Sequence, residues 1–298
     1  MVKCREIGAV DMMCYLMSPE HAAKVAATPA ESRVGYLGTR GASREQKGKG
    51  PPPGPRAFTT EEYVKLMDSV GIDKSLICTN KMWEYYDQKP SRNFYYEEQE
   101  VYDWVKGAPG RMYGLAGYNP MRIMESVANV EKAVKEWGFK GAYIHSYGYG
   151  LRVDDRKYYP LYETCAALDV PVSMQMGHSA EVMPSELGRP MALDMIAIDF
   201  PRLSIIGSHT GWPWWDELIA VTMKHLNVYM DVSAWPPTWW EPSMIRFMEG
   251  AIRNKVMWGS NALPGQAGDS FDKMDEILKK EETKRAVLRE NAMRVYKL

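Results

Sequence analysis

Three of the five histidines in this 298-residue sequence lie at or just after the end of a short apolar segment: His145, His178 and His209. A histidine with its ordinary pKa of about 6.5 can both accept and donate a proton near neutral pH. His209 stands in the sequence Gly-Ser-His-Thr-Gly, where the small neighbours let a ligand approach closely. We expect His209 to be a general acid/base, and His178 to be a second proton carrier or an electrostatic stabiliser.

Hydrogen-bonding and aromatic side chains follow the same kind of segment. Phenol and amide groups can hold a carbonyl or carboxylate group, and an arginine can pair with a carboxylate. Tryptophans can stack on a planar substrate, although most of the 10 in this chain should fill the core or an interface. We expect substrate binding by Tyr15, His145, Arg152, Gln175, Trp212 and Trp235, and catalytic orientation of the substrate by Asn261.

We expect eight strands to bring these side chains together. Short apolar segments alternate along the chain with segments whose apolar residues recur at helical spacing, which favours an α/β fold. The length suits a single (β/α)₈ TIM-barrel domain, which holds its active site at the carboxyl ends of its strands. The strands are predicted near 7–13, 74–79, 112–117, 141–145, 171–176, 203–208, 228–231 and 256–260. Helices are predicted at 59–69, 93–106, 124–137, 157–168, 215–225 and 243–251, with caps at Thr59 and Ser243.

One long insertion after the first strand interrupts this alternation. From about Ser18 to Phe58 the chain is rich in glycine, proline, lysine and arginine, which predicts no regular element. Because it starts at the face where barrel enzymes hold their active sites, it could form a lid. A disordered surface loop and a subunit contact are the alternatives.

Charge and cysteine content exclude several classes of partner. The formal net charge is -1, so we expect neither nucleic acid nor an anionic membrane as partner. The four cysteines have no framework spacing, and the amino-terminal sequence lacks the apolar region of a secretory signal, which indicates a cytoplasmic protein. No apolar segment approaches the ~20 residues that span a bilayer. The expected partner is a small-molecule substrate, and the chain is expected to form a homo-oligomer.

The order and spacing of several motifs resemble the amidohydrolase superfamily, in particular the branch that is similar to aminocarboxymuconate-semialdehyde decarboxylase and the resorcylate decarboxylases. The resemblance extends from the first strand to the last residue. The motifs are Gly138-Phe139-Lys140-Gly141, Tyr158-Tyr159-Pro160-Leu161-Tyr162, Asp169-Val170-Pro171-Val172, Asp199-Phe200-Pro201, Gly207-Ser208-His209-Thr210-Gly211-Trp212-Pro213-Trp214, Asn227-Val228-Tyr229-Met230-Asp231, Lys255-Val256-Met257-Trp258-Gly259-Ser260 and Leu288-Arg289-Glu290-Asn291-Ala292-Met293-Arg294-Val295-Tyr296.

The resemblance also implies a metal site, with a His-x-His on the first strand, a histidine on the fifth and an aspartate on the eighth. The corresponding residues of this chain are Met13, Tyr15, Gln175 and Asn261. Thioether, phenol and amide groups compete poorly with water for zinc, so we expect no metal and no other cofactor. The resemblance further implies that His209 is the family's acid/base beside the metal.

The sequence therefore predicts an enzyme that acts on a small cyclic or aromatic carboxylate, ester or lactone, by hydrolysis or decarboxylation without the usual metal site. One alternative is a metal-dependent enzyme whose zinc has moved to His145, His178 and His209. The other alternative is a barrel that binds a ligand without catalysis.

Overall fold

The computed structural model describes residues 2–27, 57–261 and 267–298. Its strands in chain order are β1 Ala9–Cys14, β2 Ile72–Cys78, β3 Lys81–Glu84, β4 Lys89–Tyr95, β5 Met112–Gly117, β6 Ala142–Ile144, β7 Val172–Gln175, β8 Ile205–Ser208, β9 Val228–Asp231 and β10 Val256–Met257. All except β3 and β4 belong to one eight-stranded sheet, in the order β1-β2-β5-β6-β7-β8-β9-β10. The strand pairs within this sheet are parallel.

This sheet curves into a nearly closed barrel. The N–H of Met12 donates to the carbonyl of Trp258 (3.2 Å), and the N–H of Asn261 donates to the carbonyl of Met13 (2.9 Å), so the first strand meets the end of the last. Apolar residues from several strands share one buried cluster, which places them inside the barrel: Val10, Met12, Leu76, Leu115, Ile206 and Met257. The predicted single-domain (β/α)₈ barrel is confirmed.

The helices cover the outside of the barrel, and the six predicted ones are present. They are α1 Pro19–Ala27, α2 Thr60–Val70, α3 Glu98–Val105, α4 Ile123–Trp137, α5 Tyr159–Ala167, α6 Ala192–Asp199, α7 Trp215–Lys224, α8 Pro242–Met248, α9 Ala267–Ile277, α10 Glu281–Arg285 and α11 Asn291–Tyr296. Thr59 caps α2 as predicted: its hydroxyl accepts from the Glu62 N–H (3.2 Å), and the Glu62 carboxylate accepts from the Thr59 N–H (2.8 Å). The predicted Ser243 cap is wrong, because α8 begins one residue earlier at Pro242, after Glu241.

Two elements differ from the sequence prediction. Strands β3 and β4 pair as an antiparallel hairpin after β2, so the helix expected from residue 93 begins only at Glu98. Helix α1 forms at the start of the predicted irregular insertion, where Pro19 opens the helix and the Ser18 hydroxyl accepts from the His21 N–H (3.1 Å). Residues 28–56 of that insertion lie outside the described residues, so the lid there stays a prediction.

In the part of the chain that the structure describes, none of the helices has the length and apolar composition that crossing a membrane requires.

Candidate active site

His209 follows β8 and is held by two residues of the neighbouring strand end. Its N–H donates to Asp231 Oδ1 (3.2 Å), and its Nδ1 lies 2.7 Å from Ser233 Oγ. Asp231 Oδ1 also accepts from the Ser233 N–H (2.8 Å) and from the Ser233 hydroxyl. Because a carboxylate only accepts, the Ser233 hydroxyl donates to Asp231 and must accept from His209. This arrangement assigns the ring proton of neutral His209 to Nδ1 and leaves Nε2 available as a base.

The backbone of His209 is unusual. His209 and Thr210 both lie in the left-handed region, with φ of 64° and 59°, followed by Gly211 at 70°. For residues other than glycine this conformation costs about 1–2 kcal/mol each, and it is found most often where a site needs it. The turn keeps His209 buried, with 6% of the residue exposed, beside the ends of β8 and β9.

Burial is the main influence on the protonation of His209. It lowers the pKa of His209 below the usual value, while the carboxylates of Asp231 and Glu181 act in the opposite direction and His145 lowers it further. His209 is therefore neutral near pH 7, which is the state that accepts a proton.

His145 and Glu181 form a buried pair that electrostatically influences His209. His145 Nε2 lies 3.7 Å from Glu181 Oε2, and the two side chains are 0% and 4% exposed. Neither ring nitrogen of His145 has a hydrogen-bond partner among the described residues. Burial raises the pKa of Glu181, but His145 and the Ser179 hydroxyl (3.0 Å from Oε2) more than offset it, so the net direction is downward. Sequence reasoning missed Glu181, for which the only signal was its place in the loop that carries His178.

Tyr15 and Gln175 come together through a third residue that the sequence did not single out. The Tyr143 hydroxyl donates to Gln175 Oε1 (2.9 Å) and also interacts with Tyr15. The Tyr15 ring contacts the edge of Phe94 from the β3–β4 hairpin, with ring centroids 5.3 Å apart. This hydrogen-bonded group therefore joins the carboxyl ends of β1 and β7, and its role in substrate binding stays a prediction.

His178 lies on the loop after β7, against Trp212. Its ring meets that of Trp212 edge-on with centroids 5.4 Å apart, and Ser185 Oγ lies 3.2 Å from its Nδ1. Trp212 in turn contacts Trp235 with centroids 4.8 Å apart. These three candidates thus form an aromatic row beside the His209 turn.

The remaining two candidates differ in their surroundings. Asn261 lies where the barrel closes, and its buried Oδ1 has no hydrogen-bond partner among the described residues. Arg152 is exposed, and its guanidinium donates to both carboxylate oxygens of Asp154 (3.0 and 2.9 Å). None of the contacts recorded for Arg152 joins it to the other candidates, and its role in substrate binding stays a prediction.

Known proteins were compared with this chain by sequence and by structure. The sequence matches the amidohydrolase family over residues 37–298. No curated protein matches it. The fold is similar to 5-carboxyvanillate decarboxylase from Sphingomonas paucimobilis, at 16% identity and a TM-score of 0.71, over 98% of this chain and 99% of the other.

Two further solved structures share the fold. One is 5-carboxyvanillate decarboxylase from Novosphingobium aromaticivorans with bound manganese, at 18% identity and a TM-score of 0.68, over 97% of both chains. The other is a probable 2-pyrone-4,6-dicarboxylic acid hydrolase from Acinetobacter baumannii, at 13% identity and a TM-score of 0.60, over 98% of this chain and 100% of the other. At such identities the likeness establishes a common fold.

The prediction that the chain uses no cofactor is contradicted by the manganese in such structures. The residues that the sequence resemblance matches to the family's metal ligands are nevertheless poor ligands for an ion. They supply a thioether, a phenol and two amides from Met13, Tyr15, Gln175 and Asn261. Gln175 Oε1 is also engaged by Tyr143.

The alternative zinc site of three histidines is not formed either. Within 2–27, 57–261 and 267–298, no three His, Cys, Asp or Glu side chains are grouped closely enough to hold one metal ion. His145, His178 and His209 all belong to these ranges, and His178 instead contacts Ser185 and Trp212. Within the described ranges, a metal ion therefore has no preformed site with three such ligands.

Proposed function

Because this chain belongs to the amidohydrolase family and is an enzyme of the hydrolase or lyase type, we propose that it acts on a small cyclic or aromatic carboxylate, ester or lactone. The reaction is hydrolysis or decarboxylation, with His209 as the acid/base. The observation that carries this proposal is the hydrogen-bonded series from His209 Nδ1 through Ser233 to Asp231, which leaves Nε2 free among the described residues.

His209 can serve either reaction. In hydrolysis, Nε2 takes a proton from the attacking water and returns it to the leaving oxygen. In decarboxylation, neutral His209 first takes up a proton from solvent, and the imidazolium then protonates the ring carbon; the electrons of the breaking bond to the carboxylate return to the ring as carbon dioxide leaves. A positioned acid/base contributes about 10²–10⁴-fold to the rate. Asp231 and Ser233 orient the imidazole and stabilise its protonated form.

A planar substrate suits the surrounding side chains. Trp212 and Trp235 offer ring faces beside the His209 turn, and aromatic contacts of this kind stabilise flat ligands. The Asn261 amide has an unpartnered oxygen among the described residues, and Tyr15 and Gln175 add polar groups that both contact Tyr143. Polar groups fixed in this way can orient a carbonyl or carboxylate without reorganising during the reaction.

The related structures support the same substrate class. One is named as a decarboxylase of a carboxylated aromatic ring, and another as a hydrolase of a pyrone dicarboxylic acid. Both names describe flat rings that carry carboxylates. The alternative of a barrel without catalysis is set aside, because the matched family is one of enzymes.

The test is turnover of a panel of hydroxylated benzoates and pyrone carboxylates by the wild-type protein and by His209→Asn. We expect the wild-type enzyme to convert at least one compound, and His209→Asn to lower kcat by about 10²–10⁴-fold. His225→Asn is the matched control, because His225 pairs with Asp194 on the outer helices (2.6 Å) and should leave kcat unchanged. An unchanged kcat in His209→Asn would overturn the proposed role.

A further inference from the structure

A small surface cavity opens at the end of the barrel opposite to His209. Its volume is about 120 Å³. Its wall comes from the segments that precede β7 and β8, from the start of β9, and from α11 with the residue after it. These segments lie at the amino-terminal ends of the strands, whereas His209 follows a carboxyl end, so the cavity is separate from the candidate active site. The polar residues of the wall are Asp169, Arg202, Ser204, Tyr229, Arg294 and Lys297.

The cavity carries an excess of positive charge. Three cations line it, Arg202, Arg294 and Lys297, against the single carboxylate of Asp169. Lys297 forms an ion pair with that carboxylate and also donates to the Asp169 carbonyl (2.8 Å), so these two charges offset each other. Within the described ranges, the Arg202 side chain takes part in no hydrogen bond or ion pair. Two guanidinium charges are therefore left without a carboxylate from this part of the chain.

The guanidinium of Arg294 is held in place by two acceptors. Its Nη2 donates to the carbonyl of Asn254 (2.5 Å) and to Asn291 Oδ1 (3.2 Å). Asn291 is buried, and its own amide nitrogen donates to the carbonyls of Arg253 (2.8 Å) and Val256 (2.7 Å). These contacts engage only Nη2, so Nε and Nη1 remain as donors. A guanidinium that is already oriented loses less side-chain entropy when it binds an anion.

Two hydroxyl groups add further donors to the same wall. Ser204 and Tyr229 both line the cavity, and neither hydroxyl is hydrogen-bonded to another described residue. Donors from separate elements can approach different oxygens of a tetrahedral oxyanion, whereas a planar carboxylate offers only two oxygens. Because a cavity of about 150 Å³ admits a benzene ring, this cavity has room for a phosphate group. Its size and its donors both suit that ligand.

We propose that this cavity binds a phosphate group between Arg202 and Arg294, either as the free ion or as a small phosphate monoester. The bound group joins the segment before β8 to the last helix, so it stabilises the folded chain. The proposal goes beyond the proposed reaction and does not depend on it. A negative result here leaves the role of His209 untouched.

Calorimetric titration of the purified full-length chain with inorganic phosphate, at neutral pH and low ionic strength, tests the proposal. We expect saturation at about one equivalent for the wild-type protein, and an affinity at least about tenfold weaker for Arg202→Gln, which loses the charge-assisted hydrogen bonds. Arg122→Gln is the matched control, because Arg122 is exposed and pairs with Glu125 on α4 (3.3 Å); its affinity should equal that of the wild type.

Phenyl phosphate and benzoate, titrated in the same way, identify the ligand. Tighter binding of phenyl phosphate than of inorganic phosphate would indicate a monoester, and the reverse order would indicate the free ion. Benzoate that binds more tightly than both would overturn the assignment to phosphate.

Three other results would overturn the proposal. One is wild-type protein that shows no saturable binding of either phosphate probe. Another is an affinity of Arg202→Gln equal to that of the wild type. The third is loss of phosphate binding in His209→Asn, which would place the phosphate in the barrel mouth instead.

A measurement on the wild-type protein avoids any effect of a substitution on folding. The arginine Nε–H signals in ¹⁵N–¹H spectra report on each guanidinium separately. We expect the signals of Arg202 and Arg294 to shift when phosphate is added, while that of Arg122 stays in place. Saturable binding without a shift of the Arg202 signal would exclude this cavity as the site.

Discussion

At the scale of single residues, Asp231 decides which nitrogen of His209 carries the proton. The carboxylate accepts from Ser233, so Ser233 accepts from His209 Nδ1, and the basic lone pair is left on Nε2. Burial lowers the pKa of His209, so this base is neutral near pH 7. The orientation and the protonation state thus have separate causes, and a substitution can change one without the other.

Asp231→Asn tests the orientation. The new amide can donate to Ser233, which then donates to Nδ1 and moves the ring proton to Nε2, where the base is lost. We expect kcat on any substrate found to fall by about 10²–10⁴-fold, together with a change of His209 tautomer in ¹⁵N spectra. Asp216→Asn, on the exposed face of α7, is the control. Retained activity with a shifted tautomer would show that the proton position is unimportant.

The sequence predicted His209 because glycines flank it, and Tyr15, Gln175 and Asn261 because each ends a strand. It could not predict Glu181, Ser233 or Tyr143 as partners, since their contacts depend on loop conformation and on which strands become neighbours. The Arg152 contact with Asp154 could not be predicted either, because a pattern does not show whether a charged residue beyond a strand end is paired within its own loop.

At the scale of elements, the loops after β7 and β8 are in direct backbone contact. Gly177 has a φ of 85°, and a Cβ there would lie 2.4 Å from the carbonyl oxygen of Trp212. The N–H of the next residue, His178, donates to that same oxygen (2.6 Å). Only glycine lets these two loops, which carry His178 and His209, approach so closely.

Gly177→Ala should therefore destabilise the protein. The added methyl group meets backbone atoms that cannot rotate away, and alanine is strained at this φ; together we expect a loss of at least about 2 kcal/mol in the free energy of unfolding. Gly138→Ala is the matched control, because its φ is 70° but nothing lies within 4 Å of the added Cβ. We expect it to cost about 1 kcal/mol, measured by urea denaturation. Equal losses in the two variants would show that the two loops can move apart to accommodate the added methyl group without a further cost in free energy.

Asp11 connects the first strand with the segment after the last. Its carboxylate accepts from the Ser260 N–H (2.8 Å) and hydroxyl (2.5 Å) and from the Met13 N–H (3.3 Å). Burial raises its pKa to about 7, although these hydrogen bonds oppose the change. Between the unfolded pKa of about 3.9 and the folded value, the folded state binds more protons than the unfolded state.

The contribution of Asp11 to the free energy of unfolding should consequently fall as pH rises from about 4 to 7, by an amount on the order of 4 kcal/mol. The measurement is the free energy of unfolding at pH 5 and pH 7 for wild-type protein and Asp11→Asn. We expect the free energy of unfolding of the wild-type protein, taken relative to that of Asp11→Asn, to be lower at pH 7 than at pH 5. A constant difference would mean that Asp11 does not titrate in this range.

The barrel strands could be predicted because strands buried on both faces form short continuous apolar segments. The β3–β4 hairpin could not, because residues 81–95 mix charged and aromatic side chains and include Pro90, which favours no strand pattern. Helix α1 was missed because a composition typical of loops follows it directly.

At the scale of the whole molecule, apolar side chains lie exposed on two adjacent outer helices. Met195 and Ile198 on α6 are 52% and 53% exposed, and Leu226 just after α7 is 91% exposed. Asp194 of α6 binds Lys224 of α7 (2.8 Å), which keeps the two helices together. The sequence predicted a homo-oligomer in the cytoplasm, and both statements stay predictions.

Self-association through this face is testable by light scattering after size-exclusion chromatography. We expect a wild-type mass above that of one chain, because exposed apolar area of this kind is stabilised by burial against a second copy. Leu226→Lys should shift the mass toward the monomer. Met124→Lys, at an equally exposed position on α4, should not. A monomeric wild-type protein would contradict the prediction.

The barrel closes between its last and first strands, where few backbone hydrogen bonds are formed. Strand β10 has only two residues and pairs in regular register with β9, while two backbone hydrogen bonds and Asp11 join the residues just after β10 to β1. Tyr15 and Asn261 lie on opposite sides of this closure. A ligand that binds both residues would join the first strand to the segment after the last, so its binding free energy would add directly to the free energy of unfolding of the barrel.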